Sequence, residues 1–143
     1  MSCYIAHSVV NGQDTIENRD LAVRKGFAMA IQLASNNQAD ILVLVPMIQY
    51  ISSGHLVSAL GKAFADKLKK PAPFVLNGIT ISRTSKVPLS VPKNTIVWML
   101  WPSLRDAEEM TKASYGQVDI VATEWVPFDE LSRWKIHNKA MVI

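Results

Sequence analysis

Cysteine is almost absent from this sequence, and its scarcity excludes several kinds of site. Of the 143 residues, one is a cysteine, Cys3, and three are histidines. A single cysteine cannot form an internal disulfide framework or a cysteine-built metal site. The histidines do not lie at metal-ligand spacing from one another or from a cluster of carboxylates. We therefore predict no metal site, and the sequence leaves any cofactor unidentified.

Long apolar runs are absent as well. None reaches the roughly 18 residues that a membrane-spanning helix needs. The opening residues, MSCYIAHSVVNGQD, have no basic stretch before a long apolar core, which a secretory leader would have. Hydrophobic residues make up 49% and charged residues 19% of the chain, which are ordinary values for a globular protein. We expect one cytoplasmic domain over residues 1–143, with no membrane partner.

Acidic residues are scarce in one sector of the chain. Between Leu60 and Thr95 only Asp66 is acidic. The same sector holds the basic residues Lys62, Lys67, Lys69, Lys70, Arg83, Lys86 and Lys93. Basic sectors attract phosphate-bearing partners, although a solvated helix face and a loop explain these residues more simply. The RNP pattern and zinc-finger spacing are missing, so nucleic acid is not a predicted partner.

What the sequence does contain is an alternation of β-like and helical segments. Apolar, β-rich segments occur at residues 3–10, 40–46, 74–81, 95–101 and 119–126. Such alternation predicts βαβ units and a parallel sheet. We predict a single-domain, three-layer α/β/α fold, Rossmann-like or flavodoxin-like, with a mostly parallel open sheet of about five strands. A ferredoxin-like α+β fold is the alternative, because Asn77-Gly78 is a hairpin signal.

Local signals predict where two helices begin. Asp14 with Glu17 three residues later has the spacing of a capping box, in which a side chain accepts hydrogen bonds from the first N–H groups of a helix. Ser53 is placed to cap a second helix, whose apolar stripe runs over residues 56–68. Both helices would follow predicted strands, as βαβ units require.

The carboxyl ends of the predicted strands are where a ligand would bind, because open parallel sheets bind ligands where the strand order reverses. Seven residues there are candidate ligand-binding residues: Tyr50, Ser52, Ser53, Gly54, Trp101, Ser103 and Trp125. A glycine with two serines before a helix can bind an anion; alternatively, Ser53 is only a helix cap. The tryptophans can stack on a base or sugar, or they fill the core.

Glu124 and His55 are the candidate catalytic residues. Glu124 lies at the end of a predicted strand in an aromatic setting, and a carboxyl group with a histidine partner can transfer protons. The alternatives are that Glu124 points at solvent or pairs with Arg133 or Lys135, and that His55 is a surface residue. His7 lies within an apolar segment, which favours a hydrogen-bonded core residue.

One stretch resembles the nucleoside 2-deoxyribosyltransferases. The runs Ser53-Gly54-His55, Gly61-Lys62-Ala63 and Lys70-Pro71 are similar to that family's D-S-G-T, G-x-A and lysine-proline elements, which follow an apolar strand. Ser58 stands where the family has its catalytic glutamate, and Gly61 comes one position late. The resemblance therefore implies a similar shape over residues 53–71 and does not extend to the family's chemistry.

Three functions are compatible with this sequence. The first is a small α/β domain that binds a nucleotide-like or phosphorylated small ligand at the carboxyl ends of its strands. The second is a hydrolase or glycosyl-transferring enzyme that uses Glu124 and His55. The third is a homo-oligomeric interaction protein without catalysis, in which exposed aromatic residues form a homodimer surface. Binding is the preferred prediction because no catalytic constellation is evident, and whether the chain is an enzyme stays open.

Overall fold

The computed structural model describes residues 1–46, 48–52, 54–124 and 131–143. The strands in these ranges are β1 (Cys3–Ala6), β2 (Val9–Val10), β3 (Gln13–Asp14), β4 (Asp40–Leu44), β5 (Phe74–Leu76), β6 (Ile79–Thr84), β7 (Thr95–Leu100), β8 (Ile120–Thr123) and β9 (Met141–Val142). The helices are α1 (Ile16–Asn37), α2 (Gln49–Ser52), α3 (His55–Leu60), α4 (Lys62–Lys69), α5 (Leu104–Ala113) and α6 (Ser132–His137). None of these helices is both long and apolar enough to cross a membrane.

A mostly parallel sheet confirms the predicted α/β class. It has seven strands in the order β5-β6-β4-β7-β8-β1-β9, whereas β2 and β3 form a separate small hairpin. All neighbours in the large sheet are parallel except β5 and β6. Its central strands β6-β4-β7-β8-β1 do not follow the Rossmann order or the flavodoxin order. The class is thus as predicted, while the Rossmann-like or flavodoxin-like type is not established.

Apolar side chains lie on both faces of the sheet. Along β7, Ile96, Trp98 and Leu100 belong to a core under α1, α3 and α4, whereas Val97 and Met99 belong to a second core under α5 and α6. This alternation follows from the period of two in a strand. Because helices cover both faces, a strand can be apolar at nearly every position.

The described tryptophans are core residues. Trp98 and Trp134 are 1% and 0% exposed, and their indole N–H groups donate hydrogen bonds to Thr123 Oγ1 (2.9 Å) and Thr111 Oγ1 (2.8 Å). Trp101 is 7% exposed. These three side chains therefore do not supply the exposed aromatic surface that a homodimer was expected to use.

The start of α1 differs from the prediction. Thr15 is the N-cap, and its Oγ1 accepts a hydrogen bond from the backbone N–H of Asn18 (3.1 Å). The carboxylate of Asp14 instead accepts two hydrogen bonds of 2.7 Å from the guanidinium of Arg19, and these bonds hold the pKa of Asp14 below its ordinary value. The predicted capping box was therefore wrong by one position, because Asp14 has a stronger partner.

The helix predicted over residues 56–68 is two helices, α3 and α4. Gly61 lies between them with a φ of 90°, a conformation that glycine adopts without the steric cost of a Cβ atom. The apolar stripe continues across this break because Leu56 and Leu68 face the same core. Ser58 in α3 donates a hydrogen bond to Asp20 of α1 (2.5 Å), which links the two helices.

The hairpin signal at Asn77-Gly78 is confirmed. The two residues have φ values of 51° and 79° and join the antiparallel strands β5 and β6, with Leu76 paired to Ile79. Positive φ at both central residues is what a type I′ turn requires. The hairpin adds an antiparallel edge to a sheet that is otherwise parallel, so the ferredoxin-like alternative was wrong.

We expect Cys3 to react slowly with thiol reagents in the folded protein. The residue is 3% exposed, and burial, assisted by the charge of Asp119, raises the pKa of its thiol from 9.0 to about 11. The thiolate is the reactive form, so at pH 8 this shift alone lowers the reactive fraction roughly 100-fold. Because the unfolded thiol ionises first, the shift also lowers the free energy of unfolding as the pH rises from about 9 to about 11.

Reaction with dithiobis(nitrobenzoate) measures this reactivity. The rate should be low in buffer and rise sharply when guanidinium chloride unfolds the chain. Equal rates with and without denaturant would contradict the burial of Cys3.

Candidate functional site

The carboxyl ends of β4 and β7 lie side by side, and the chain leaves them in opposite directions. From β4 it runs through α2, α3, α4 and β5 to β6, and these helices pack on the face that α1 covers. From β7 it runs through α5 to β8, on the other face. Open α/β sheets bind ligands where connections diverge in this way. This edge is therefore the position at which a site is expected.

Three predicted site residues come together at this edge. The rings of Tyr50 and Trp101 have centroids 6.0 Å apart at an interplanar angle of 81°. The rings of His55 and Trp101 are 6.3 Å apart at 78°. Both contacts are edge-to-face, a favourable arrangement for aromatic rings. Tyr50, His55 and Trp101 thus form an aromatic cluster. Trp101 is buried, whereas Tyr50 and His55 are half-buried and lie nearer the surface.

Trp101 has an unusual backbone conformation. Its φ is 57°, in the left-handed region that bulky residues rarely adopt and that costs about 1–2 kcal/mol. In a regular strand its side chain would face away from that of Leu100. The turn at Trp101 instead places both side chains in the same core, under α1 and α3. Strain of this kind persists where the surrounding structure requires it, and it is concentrated at functional sites.

Two other predicted ligand-binding residues are at helix starts. Gly54 is exposed at the N-cap position of α3, where Ser53 was expected, and it has a φ of 97° without a side-chain cap. Ser103 caps α5, since its Oγ accepts a hydrogen bond from the backbone N–H of Asp106 (3.1 Å). The hydroxyl of Ser103 therefore has a structural role.

Three predicted ligand-binding residues remain, of which one lies in a described helix. Ser52 is the last residue of α2, while Ser53 and Trp125 lie outside the described residues. A ligand-binding role for these three stays a prediction.

Glu124, a predicted catalytic residue, has His7 as its hydrogen-bond partner in the described chain. Its Oε2 lies 2.8 Å from His7 Nδ1, and the two side chains are 7% and 24% exposed. On the other side of the imidazole, Lys135 Nζ lies 3.3 Å from Nε2. The expected partner, His55, has its ring against Trp101 instead. A catalytic role for His55 remains a prediction.

The bonds of His7 indicate its tautomer. An ionised Glu124 accepts the Nδ1 proton of the imidazole, which leaves Nε2 with a lone pair. The ammonium group of Lys135 can donate to that lone pair because it has three N–H groups and no acceptor. The two alternative partners predicted for Glu124 are therefore used elsewhere: Lys135 contacts His7, and Arg133 pairs with Glu108 at 2.9 Å.

His7 was not among the predicted site residues and was expected to be a hydrogen-bonded core residue. It is hydrogen-bonded, to Glu124, but its side chain is 24% exposed. His7 follows β1 as Glu124 follows β8, and these two strands are parallel neighbours. The available signal was a polar residue at the end of each of two apolar segments. That signal identifies a contact only when the strand order is known.

No group of three or more histidine, cysteine, aspartate or glutamate side chains that could hold a metal ion occurs in the described part of the chain. Comparisons with protein-family models, with curated proteins and with solved structures give no match.

Proposed function

We propose that this domain binds a nucleotide-like or phosphorylated small ligand at the carboxyl ends of β4 and β7. The convergence of Tyr50 and His55 on the strained Trp101 is the observation that carries the proposal. Aromatic rings at the point where connections diverge suit a planar base or sugar, which they contact at small entropic cost. The ligand's ring contacts Tyr50 and His55, and Trp101 supports both.

Gly54 provides room for the phosphate in this proposal. The residue is exposed, and an added Cβ atom would meet nothing within 4 Å, so an anion can approach its backbone. It directly precedes His55, whose ring is in the aromatic cluster. A ligand ring at the cluster therefore brings an attached phosphate close to Gly54.

A thermal-shift assay with adenosine 5′-monophosphate tests the proposal. A ligand at 100 times its dissociation constant stabilises the folded state by about 2.7 kcal/mol, which for a chain of this size raises the melting temperature by several degrees. Replacing Tyr50 or His55 with alanine should remove the shift, because each replacement deletes a ring contact. Tyr115 and His137 are exposed residues of the same types, and their alanine variants are the matched controls.

Ribose 5-phosphate and inorganic phosphate, tested separately in the same assay, show which part of the nucleotide contributes to binding. A shift with the nucleotide and a smaller one with phosphate alone is expected. If none of the three compounds raises the melting temperature, or if Tyr50→Ala and His55→Ala keep the full shift, the aromatic cluster is not a ligand site.

A further inference from the structure

The hydrogen-bonded series from Glu124 through His7 to Lys135 is a second cluster at the same edge of the sheet. A buried carboxylate that fixes the tautomer of a histidine leaves Nε2 with a lone pair, which is the arrangement of a general base once the ammonium group of Lys135 turns from Nε2 to a bound phosphoryl oxygen. The imidazole is 24% exposed and the carboxylate 7%. The imidazole of His7 is therefore accessible to solvent, while the Glu124 carboxylate that orients it is buried.

This cluster and the aromatic cluster lie at the same end of the sheet, two strands apart, with Trp101 in the core under α1 and α3 and Lys135 in α6 over the other face. β8 pairs with β7 on one side and with β1 on the other, with Thr123 opposite both Leu100 and Ala6. The residues that follow these three strand ends at the edge are Trp101, Glu124 and His7. Two interstrand spacings, about 10 Å, separate β7 from β1. A ligand with its ring beside Trp101 and one phosphate at Gly54 therefore reaches His7 only with a second phosphoryl group, which extends across the ends of β7 and β8.

Lys135 indicates the class of substrate. Its ammonium group lies 3.3 Å from His7 Nε2, so a positive charge is adjacent to the atom that accepts the proton. A positive charge disfavours the oxocarbenium-like transition state of glycosyl transfer. It stabilises the anionic oxygens of a phosphoryl group during displacement. A phosphate ester fits this cluster better than a glycoside does.

We propose that the cluster hydrolyses a phosphodiester, with His7 as the general base, Glu124 as the residue that positions it and Lys135 as the phosphoryl-binding residue. The proposal rests on the phosphorylated ligand proposed above. A water oxygen attacks phosphorus while His7 Nε2 takes one of the water's protons. The bond from phosphorus to the leaving oxygen breaks, and its electron pair stays on that oxygen. Nε2 then returns the proton to the leaving group, which departs as the free alcohol.

Hydrolysis of bis(p-nitrophenyl) phosphate, followed by the absorbance of released p-nitrophenolate, tests this proposal. Loss of the base in His7→Asn should lower kcat at least about 100-fold, the usual contribution of general base catalysis. Glu124→Gln should also lower kcat, and the carboxylate of Glu124→Asp should restore part of it. Lys135→Met should raise KM, because one phosphoryl contact is lost. His137→Asn is the matched control and should keep the wild-type rate.

A chemical probe covers the case in which His7→Asn does not fold. Diethyl pyrocarbonate acylates neutral imidazole: Nε2 attacks a carbonyl carbon, and ethyl carbonate leaves and decomposes to carbon dioxide and ethanol. In the wild-type protein, loss of hydrolysis should follow acylation of the peptide that contains His7. Loss that follows acylation of His137 instead would overturn the proposal.

Other outcomes separate this proposal from the ligand-binding one. No hydrolysis of the phosphodiester, hydrolysis of p-nitrophenyl acetate alone, or an unchanged rate in folded His7→Asn would overturn phosphate-ester hydrolysis. Ligand binding would still stand if adenosine 5′-monophosphate raised the melting temperature. Conversely, adenosine 5′-monophosphate could leave the melting temperature unchanged while hydrolysis still required His7. That result would support the cluster of Glu124, His7 and Lys135 and reject the aromatic cluster as its ligand site.

Discussion

Replacing Gly26 with alanine is expected to lower the free energy of unfolding by about 2 kcal/mol, within the roughly 1–3 kcal/mol that overpacking a core usually costs. Gly26 lies in α1, which packs on β7 and β8. An added Cβ atom would collide with Thr123 Oγ1 and would lie 2.9 Å from Trp98 Nε1. These two atoms form a buried hydrogen bond of 2.9 Å, so moving either aside breaks it. The helix propensity of alanine, about 1 kcal/mol better than that of glycine, offsets only part of this cost.

Urea unfolding of a small set of variants measures the effect. Lys25→Ala changes an exposed neighbour in the same helix and should stay within about 0.5 kcal/mol of the wild type. In the Gly26→Ala background, Thr123→Ala removes the oxygen that collides with the added Cβ atom. It should therefore lower the free energy of unfolding by less than it does in the wild-type protein. Strictly additive effects of the two substitutions would argue against direct contact between them.

Replacing His7 with leucine is expected to destabilise the fold by about 3 kcal/mol. Glu124 is 6% exposed, and its described hydrogen-bond partner is His7 Nδ1 at 2.8 Å. Leaving a buried hydrogen-bonding group without its partner costs about 1–3 kcal/mol, and more when that group is a carboxylate. The value expected here does not exceed about 3 kcal/mol, since Lys135 Nζ, 3.3 Å from His7 Nε2, can move toward the carboxylate once the imidazole is gone.

The double variant His7→Leu/Glu124→Leu separates pairing from packing. Replacing both members of a buried pair with apolar residues is often neutral or stabilising, so the double variant should recover most of the lost free energy. Its phosphodiesterase activity should stay absent, because leucine cannot accept a proton. A double variant as unstable as His7→Leu would indicate that the imidazole contributes packing rather than a partner for the carboxylate.

The class of fold was predictable because burial on both faces of a sheet leaves a direct mark on the sequence. The apolar segments at 40–46 and 95–101 became β4 and β7 with boundaries that differ by one or two residues at most. The hairpin at Asn77-Gly78 was equally local, since its residue types favour the positive φ values that the turn needs.

Local prediction failed where two nearby residues compete or where a pattern continues across a break. Asp14 and Thr15 are both good caps, and the long-reaching guanidinium of Arg19 decided between them by binding Asp14. The apolar stripe over residues 56–68 has the same period in one helix as in two. The positive φ of Gly61 divides it, although the single glycine was visible in the sequence.

For the candidate site, the sequence by itself determined which residues end up at the carboxyl ends of strands, because strand boundaries are local. Only the tertiary structure decided which of them meet. His7 and Glu124 are 117 positions apart and pair because β1 lies beside β8, and Trp101 meets Tyr50 and His55 because β7 lies beside β4. Strand order depends on the packing of helices across both faces at once, and no short stretch of sequence carries that information.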